Sequence, residues 1–253
     1  MLLEGSQLWF GLVGALLIGL GKGGLGSGFG MLVVPVLSLT LDPRQAAALT
    51  LPILITSDFF AVYAYRGKAH TGHMRVLLTG AVIGIGLGAL TFHLVSEPML
   101  RLMMGLMALI YVVSRFLGLA RPSDVPLPPD WGQGVTLGTI SGFTSFTAHA
   151  GGPPVQVYML PKGLDKQAFQ ATNVLLFTLI NLIKVPPYLA LGQFTGPVML
   201  TSLMLMPVAA GGVFLGYRLH RWMPETLFFR IAVTLLFLTG LKLTWDGLGA
   251  LLF

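Results

Sequence analysis

Apolar and polar positions in this chain segregate on the length scale of membrane crossings, not of strands or surface helices. Six mainly apolar runs, 44–65, 74–95, 98–118, 167–187, 197–217 and 225–245, each reach the ~20 residues that a helix needs to span a bilayer. Two further apolar regions, 8–39 and 132–161, are interrupted in the middle. The first interruption is "GLGKGGLGSGFG" (Gly19 to Gly30) and the second is "SFTAHAGGPP" (Ser145 to Pro154). The pieces on either side are about 9 to 16 residues long, marginal for a straight crossing at ~1.5 Å per residue, so each region is expected to form a hairpin of short helices. The pattern predicts an all-α integral membrane protein.

The only stretch that resembles a linker is the proline-rich "ARPSDVPLPPDW" (Ala120 to Trp131), close to the middle of the chain. It separates a first repeat, 1–119, from a second, 132–253. "LDPRQAAALT" (Leu41 to Thr50) aligns with "LDKQAFQATN" (Leu164 to Asn173), and Thr71-Gly72 with Thr195-Gly196. Each half then has the same order, a broken hairpin followed by three full helices.

Loop charges relate the halves. In the first half the loop after the first full helix carries Arg66, Lys68 and Arg75, while the next, "VSEP", has no Lys or Arg. In the second half the order reverses: "LGQFTGP" has none and "YRLHRW" holds Arg218 and Arg221. The positive-inside rule then places equivalent loops on opposite sides, which makes the repeats inverted, with the linker cytoplasmic. Hairpins that return to their own side put both termini outside and leave Arg44 as an exception there. Hairpins whose segments each cross raise the count to ten. Inverted repeats with interrupted helices in matching positions point to a secondary transporter with its site near the midplane.

Composition narrows the choice. The chain has 253 residues, of which 55% are hydrophobic and 9% charged, at a mean hydropathy of +0.83. Soluble domains carry roughly 25% charged residues. The net charge of +6 is spread over short loops and forms no stripe, so the basic residues orient the chain in a lipid bilayer and do not form a nucleic-acid surface. There is no cysteine, and the five histidines have no metal-ligand spacing, so neither a metal nor another cofactor is expected. Residues 1–20 lack a basic segment and a cleavage site and read as mature protein.

The opening glycines satisfy the G-x-G-x-x-G spacing of a dinucleotide turn, with Asp42 at a ribose-like distance. That motif needs a short strand and a soluble parallel sheet, and here a thirteen-residue apolar run precedes it. In a membrane hairpin the same glycines let the backbone approach a ligand, and the amides of the next short helix favour an anion. Candidate anion ligands are therefore Lys22, Gly23, Gly24 and Ser27 in the first hairpin, and Thr144, Ser145, Thr147, His149, Gly151 and Gly152 in the second. Alternatively, the glycine clusters serve only close helix packing, as Gly80, Gly84 and Gly88 do by their spacing. Lys22 either attracts the anion or is a cytoplasmic lysine at a hairpin tip, and His149 binds substrate, shuttles a proton or bonds backbone.

Asp58 lies eight positions before Arg66, ~12 Å deeper along a helix and too far for a direct pair. An ionisable group at that depth is a candidate proton site, or else caps a neighbouring hairpin. Its counterpart in the second half is Asn181, and Thr50 likewise matches Asn173; these side chains face one broad side of their helices and join the candidate site. Lys184 reads as a lysine snorkelling to the interface. Trp9, Trp131, Trp222, Tyr63 and Tyr65 suit an interfacial belt.

The motif "GKGGLGSGFGMLVVPVLSLTLDPRQAAALT" (Gly21 to Thr50), with its looser repeat Gly142 to Asn173, resembles the TauE/SafE sulfite exporter family of bacterial membrane proteins, over about residues 8 to 245. The resemblance implies a multi-pass protein of the bacterial inner membrane that exports a small sulfur-containing anion such as sulfite, sulfoacetate or another organosulfonate, and is not an enzyme. An anion channel, a cation transporter and a membrane-embedded hydrolase remain as alternatives. Outward movement of one negative charge is favoured by roughly 2.3 kcal/mol per 100 mV when the inside is negative, so no second ion is required.

Overall fold

The computed structural model describes residues 6–25, 28–65, 67–117, 125–219 and 225–252, and among these the regular structure is helical throughout, with no strand. In the first half, α1 (Ser6–Leu20) runs into a π-helical turn (Gly21–Leu25), followed by α2 (Gly28–Leu37), α3 (Pro43–Tyr65), α4 (Thr71–Thr91) and α5 (Glu97–Phe116). In the second, α6 (Trp131–Ala148), α7 (Gly152–Met159) and a short 3₁₀ turn (Leu160–Lys162) precede α8 (Lys166–Ala190), α9 (Gly196–Leu219) and α10 (Glu225–Leu252).

Four of the described helices are long and apolar enough to cross a membrane, over Pro43–Tyr63, Thr71–Thr91, Gln167–Ala190 and Gly196–Gly216. The other two expected crossings, α5 and α10, have 20 and 28 residues but carry the ion pairs Glu97–Arg101 and Lys242–Asp246. The chain is a multi-pass membrane protein, and its exterior is apolar: Phe59, Phe60, Leu90, Leu94 and Phe116 are exposed. Trp9, Trp131 and Tyr63 are 70%, 60% and 69% exposed, as an interfacial position requires. Trp222 and the Tyr65 side chain lie outside what is described.

Both broken regions fold back on themselves. In the first, a Cβ on Gly14 of α1 would touch the side chains of Val33 and Leu37 on α2. In the second, Lys162 Nζ, beyond α7, donates to Gln133 Oε1 near the start of α6 at 3.3 Å, and the Asp130 N–H donates to Tyr158 Oη at 3.2 Å. The two ends of that hairpin therefore sit together. The end of the linker joins them there, since the Leu127 N–H donates to the Lys162 carbonyl at 3.0 Å and Gly163, at φ 65°, leaves no room for a Cβ against the Val125 carbonyl.

Glycine sets how the helices pack. A Cβ at Gly80 or Gly84 of α4 would strike the Val135 or Thr139 carbonyl of α6, and one at Gly138 or Gly142 of α6 would strike the Leu77 or Ala81 carbonyl of α4. The register rises together on both helices, so they run parallel in backbone contact, as the four-residue glycine spacing suggests. The same device joins α1 to α9, where Gly19 faces Ala209 and Gly212, and Gly216 faces Leu20. By contrast α5 and α10 run antiparallel, with Gly105 against Gly240 and Thr244, and Gly247 against Pro98 and Leu102.

Candidate functional site

The first interruption is a π-helical turn rather than an open loop. Glycine tolerates the wider turn, and π geometry inside helices is common at functional positions. It carries Lys22, flanked by Gly21, Gly23 and Gly24, to the side of α3, where Lys22 Nζ makes an ion pair with Asp58 Oδ1. The Lys22 side chain is 18% exposed and that of Asp58 is fully buried. The second carboxylate oxygen of Asp58 accepts from Asn181 Nδ2 of α8 at 2.6 Å. Asp58 is thus paired, not solitary as its distance from Arg66 suggests, because its cation comes from a hairpin that loop spacing does not reveal.

The second interruption is a helix end. At the end of α6, His149 adopts a left-handed conformation (φ 52°), with its N–H donating to Ser145 O and that of Ala150 to Thr144 O, which closes the C-terminus. Ser141 Oγ donates to the Gly151 carbonyl at 2.7 Å, and a Cβ on Gly151 would collide with Ser141 and Ser145, so this turn needs glycine. The turn holds His149 with Nε2 2.9 Å from the Ala47 carbonyl of α3, which fixes the proton on Nε2 and leaves Nδ1 as an acceptor. The backbone-bonded reading of His149 is therefore the one the geometry favours.

That acceptor meets Lys184. Lys184 Nζ lies 2.6 Å from His149 Nδ1, 3.0 Å from Ser145 O and 3.1 Å from Ser145 Oγ, within reach of three acceptors. Its relative exposure is 0%. Lys184 is thus no snorkelling lysine. The hairpin tip offers it carbonyl, hydroxyl and imidazole inside the protein, and spacing from Pro187 gives no sign of this. Asn181 and Lys184, three residues apart on α8, lie on one face and join the two clusters into one polar core.

The other sequence candidates are placed unevenly. Gly23 and Gly24 belong to the Lys22 turn, and Gly152 opens α7. The free-amide reading of α7 narrows, since Pro153 and Pro154 occupy its second and third positions and carry no N–H. Thr144 stitches the α6 end, bonding Ile140 O and Ala150 O. Thr147 bonds its own helix at Phe143 O, and Thr50 does the same at Ala46 O. Asn173 is buried with Oδ1 unpartnered and makes no hydrogen bond to the Asp58 or Lys184 clusters. Ser27 lies outside the described residues.

Among the described residues the core holds two lysines, Lys22 and Lys184, and one acid, Asp58. No second acid bonds either lysine among the described residues. Nor do the described residues contain a group of three His, Asp or Glu side chains suited to a metal ion.

No curated protein and no solved structure matches the chain. A family model does, the one described as sulfite exporter TauE/SafE, over residues 11–243 of 253, so that the chain belongs to this family of membrane transporters.

Proposed function

We propose that the chain exports a small sulfur-containing oxyanion, sulfite or an organosulfonate, which binds in the polar core between its two halves and is released by alternating access. Family membership supplies the coarse statement, a membrane transporter for anions of the sulfite kind. The observation that carries the finer one is the make-up of the core, two lysines to one acid: Lys184 is fully buried and bonded only to neutral groups, so that a bound anion supplies the counter-ion its protonated form lacks. In the absence of substrate, Asp58 stands in for the anion at Lys22. Protonation of Asp58 frees Lys22 for substrate, which gives this carboxylate its role as proton site.

Two features support the inverted-repeat reading. Asp58 and Asn181, equivalent by sequence match, touch each other, as equivalent residues near a two-fold axis do. The glycine contacts α4 with α6 and α1 with α9 are also equivalents of one another under the exchange of halves. Binding then falls where such transporters hold substrate, at the repeat interface.

The test is thermal stabilisation of the purified protein by sulfite, thiosulfate, sulfoacetate and taurine, followed by flux from liposomes against concentration. Stabilisation by at least one sulfur anion and saturable flux are expected. Unsaturable flux would mean a channel, and no response to any sulfur anion would remove the proposed substrate class.

A further inference from the structure

Beyond the polar core a second pocket opens, lined by Arg44, Thr91, Phe92, Thr147, Tyr188 and Gln193 among others. It lies where α3 begins, α4 ends and the α8–α9 loop passes, the face that loop charges assign to the outside. Arg44 is its cation. One guanidinium nitrogen, Nη2, donates to the Phe92 carbonyl at 3.1 Å and to that of Val95, so the side chain is held across the end of α4 with its plane 4.8 Å from the Phe92 ring. Arg44 Nε is buried and has no hydrogen-bond partner. The nearest acid in sequence, Asp42, is engaged by the backbone N–H groups of Arg44 and Gln45, and among the described residues no carboxylate bonds the guanidinium. Across the pocket, Gln193 Nε2 spends one proton on the Leu191 carbonyl at 3.0 Å and keeps the other.

The pocket backs directly onto the core. Ala47 in its wall gives its carbonyl to His149, Thr147 is two residues from His149, and Tyr188 is one helical turn beyond Lys184. Between pocket and core stand the Phe146 and Tyr188 rings, edge to face with centroids 5.1 Å apart, and Tyr188 Oη is fastened to the Phe146 carbonyl at 2.6 Å. Both are almost wholly buried. A fixed guanidinium with a spare, desolvated N–H, lining the same pocket as the Gln193 amide, supplies donors of the kind an oxyanion takes.

We infer that this pocket is an outer subsite for the transported oxyanion, with Arg44 Nε and Gln193 Nε2 as donors and the Phe146–Tyr188 ring pair as the partition that separates it from the core. The inference rests on the proposed function, because it requires that the core handle an oxyanion. Anion leaving Lys184 then meets a second cation before solvent, which lowers the barrier at the point where it gives up the core ligands.

The experiment measures counterflow of labelled sulfite in liposomes at varied external sulfite, for wild type, Arg44→Gln and Gln193→Leu, with sulfite-induced heat stabilisation read on the same samples. Gln193→Leu leaves both Arg44 carbonyl bonds in place, so it remains informative should Arg44→Gln fail to fold. Loss of a charge-assisted bond in Arg44→Gln is expected to raise the external half-saturating concentration about tenfold, and loss of a neutral one in Gln193→Leu about threefold. Stabilisation at saturating sulfite, a property of the core, should persist. Saturable counterflow with unchanged external half-saturation in Gln193→Leu and in any folded Arg44→Gln overturns the outer subsite alone. Absence of saturable counterflow in the wild type overturns the proposed function and the subsite together.

Discussion

Asn181 Nδ2 donates to Asp58 Oδ2 at 2.6 Å, and the two residues are 123 positions apart, each fifteen residues beyond the start of its helix. One half of the chain supplies the carboxylate and the other a neutral amide in the equivalent place. Among the described residues the core has a single acid, and that acid is held from both sides, by Lys22 and by Asn181.

Asp58→Asn is therefore expected to flatten the pH profile. An amide at this position neither exchanges a proton nor ion-pairs with Lys22, so a pH dependence that runs through this carboxylate is lost in the variant. Efflux of a simple alkylsulfonate from liposomes, whose charge does not change over the range studied, reads this without titration of the substrate itself. A profile identical to that of the wild type would remove the proton role.

Lys22→Met and Lys184→Met should behave differently from each other. Lys22→Met leaves a buried carboxylate without its cation, at a cost of about 3 to 5 kcal/mol, and Asp58→Asn in the same chain should recover most of it. Lys184→Met removes a buried amine whose partners are neutral, which costs about 1 to 3 kcal/mol for the unsatisfied acceptors, offset by burial of an apolar side chain in place of a polar one. Its signature is loss of anion-induced stabilisation with little change in the melting temperature of the unliganded protein, measured in detergent.

Gly84→Leu should destabilise by more than about 2 kcal/mol, since even its Cβ meets the Thr139 carbonyl, a backbone atom that cannot move aside. Gly86→Ala, two residues away, has open space within 4 Å and should be neutral or stabilising by up to about 1 kcal/mol through helix propensity. Thermal melts of the pair check this, and equal effects would sink the close-packing account.

Because the chain has no cysteine, single-cysteine labelling reports sidedness cleanly. Thr195→Cys is expected to react with an impermeant maleimide in intact cells, and Lys68→Cys only after the membrane is opened. The reverse result would invert the assigned orientation.

Much of the fold was legible in the sequence because a bilayer imposes a length and a polarity that a hydropathy pattern shows directly. Among the described residues all eight predicted regions are mainly helical, and the α-helices α1 and α6 end within the two glycine-rich breaks. The boundary of α4 moved from the expected residue 95 back to Thr91, because Arg44 takes the carbonyls of Phe92 and Val95 and Ser96 begins a new cap. Asp58 and Asn181 were legible as polar groups at depth, and Lys22 as a cation either at the site or at a cytoplasmic hairpin tip. Their union was not, since it depends on how far each hairpin penetrates. Lys184 was misread for a related reason: a lysine near a helix end looks like an interfacial one unless a neighbouring hairpin is known to reach it. Arg44, an exception to the charge pattern, acquired a meaning only when the end of α4 and the α8–α9 loop were placed beside it.

The glycine contacts between α4 and α6, and between α1 and α9, each bind a helix of one half to a helix of the other at backbone distance. Two helices that close pack as one unit, so each such pair is a hybrid, made from both ends of the gene. Cutting the chain at the central linker would not yield two independent machines. It would yield two interlocking parts, each with a bare glycine face shaped for the other, and co-expression of the severed halves should reconstitute flux that neither half supports alone.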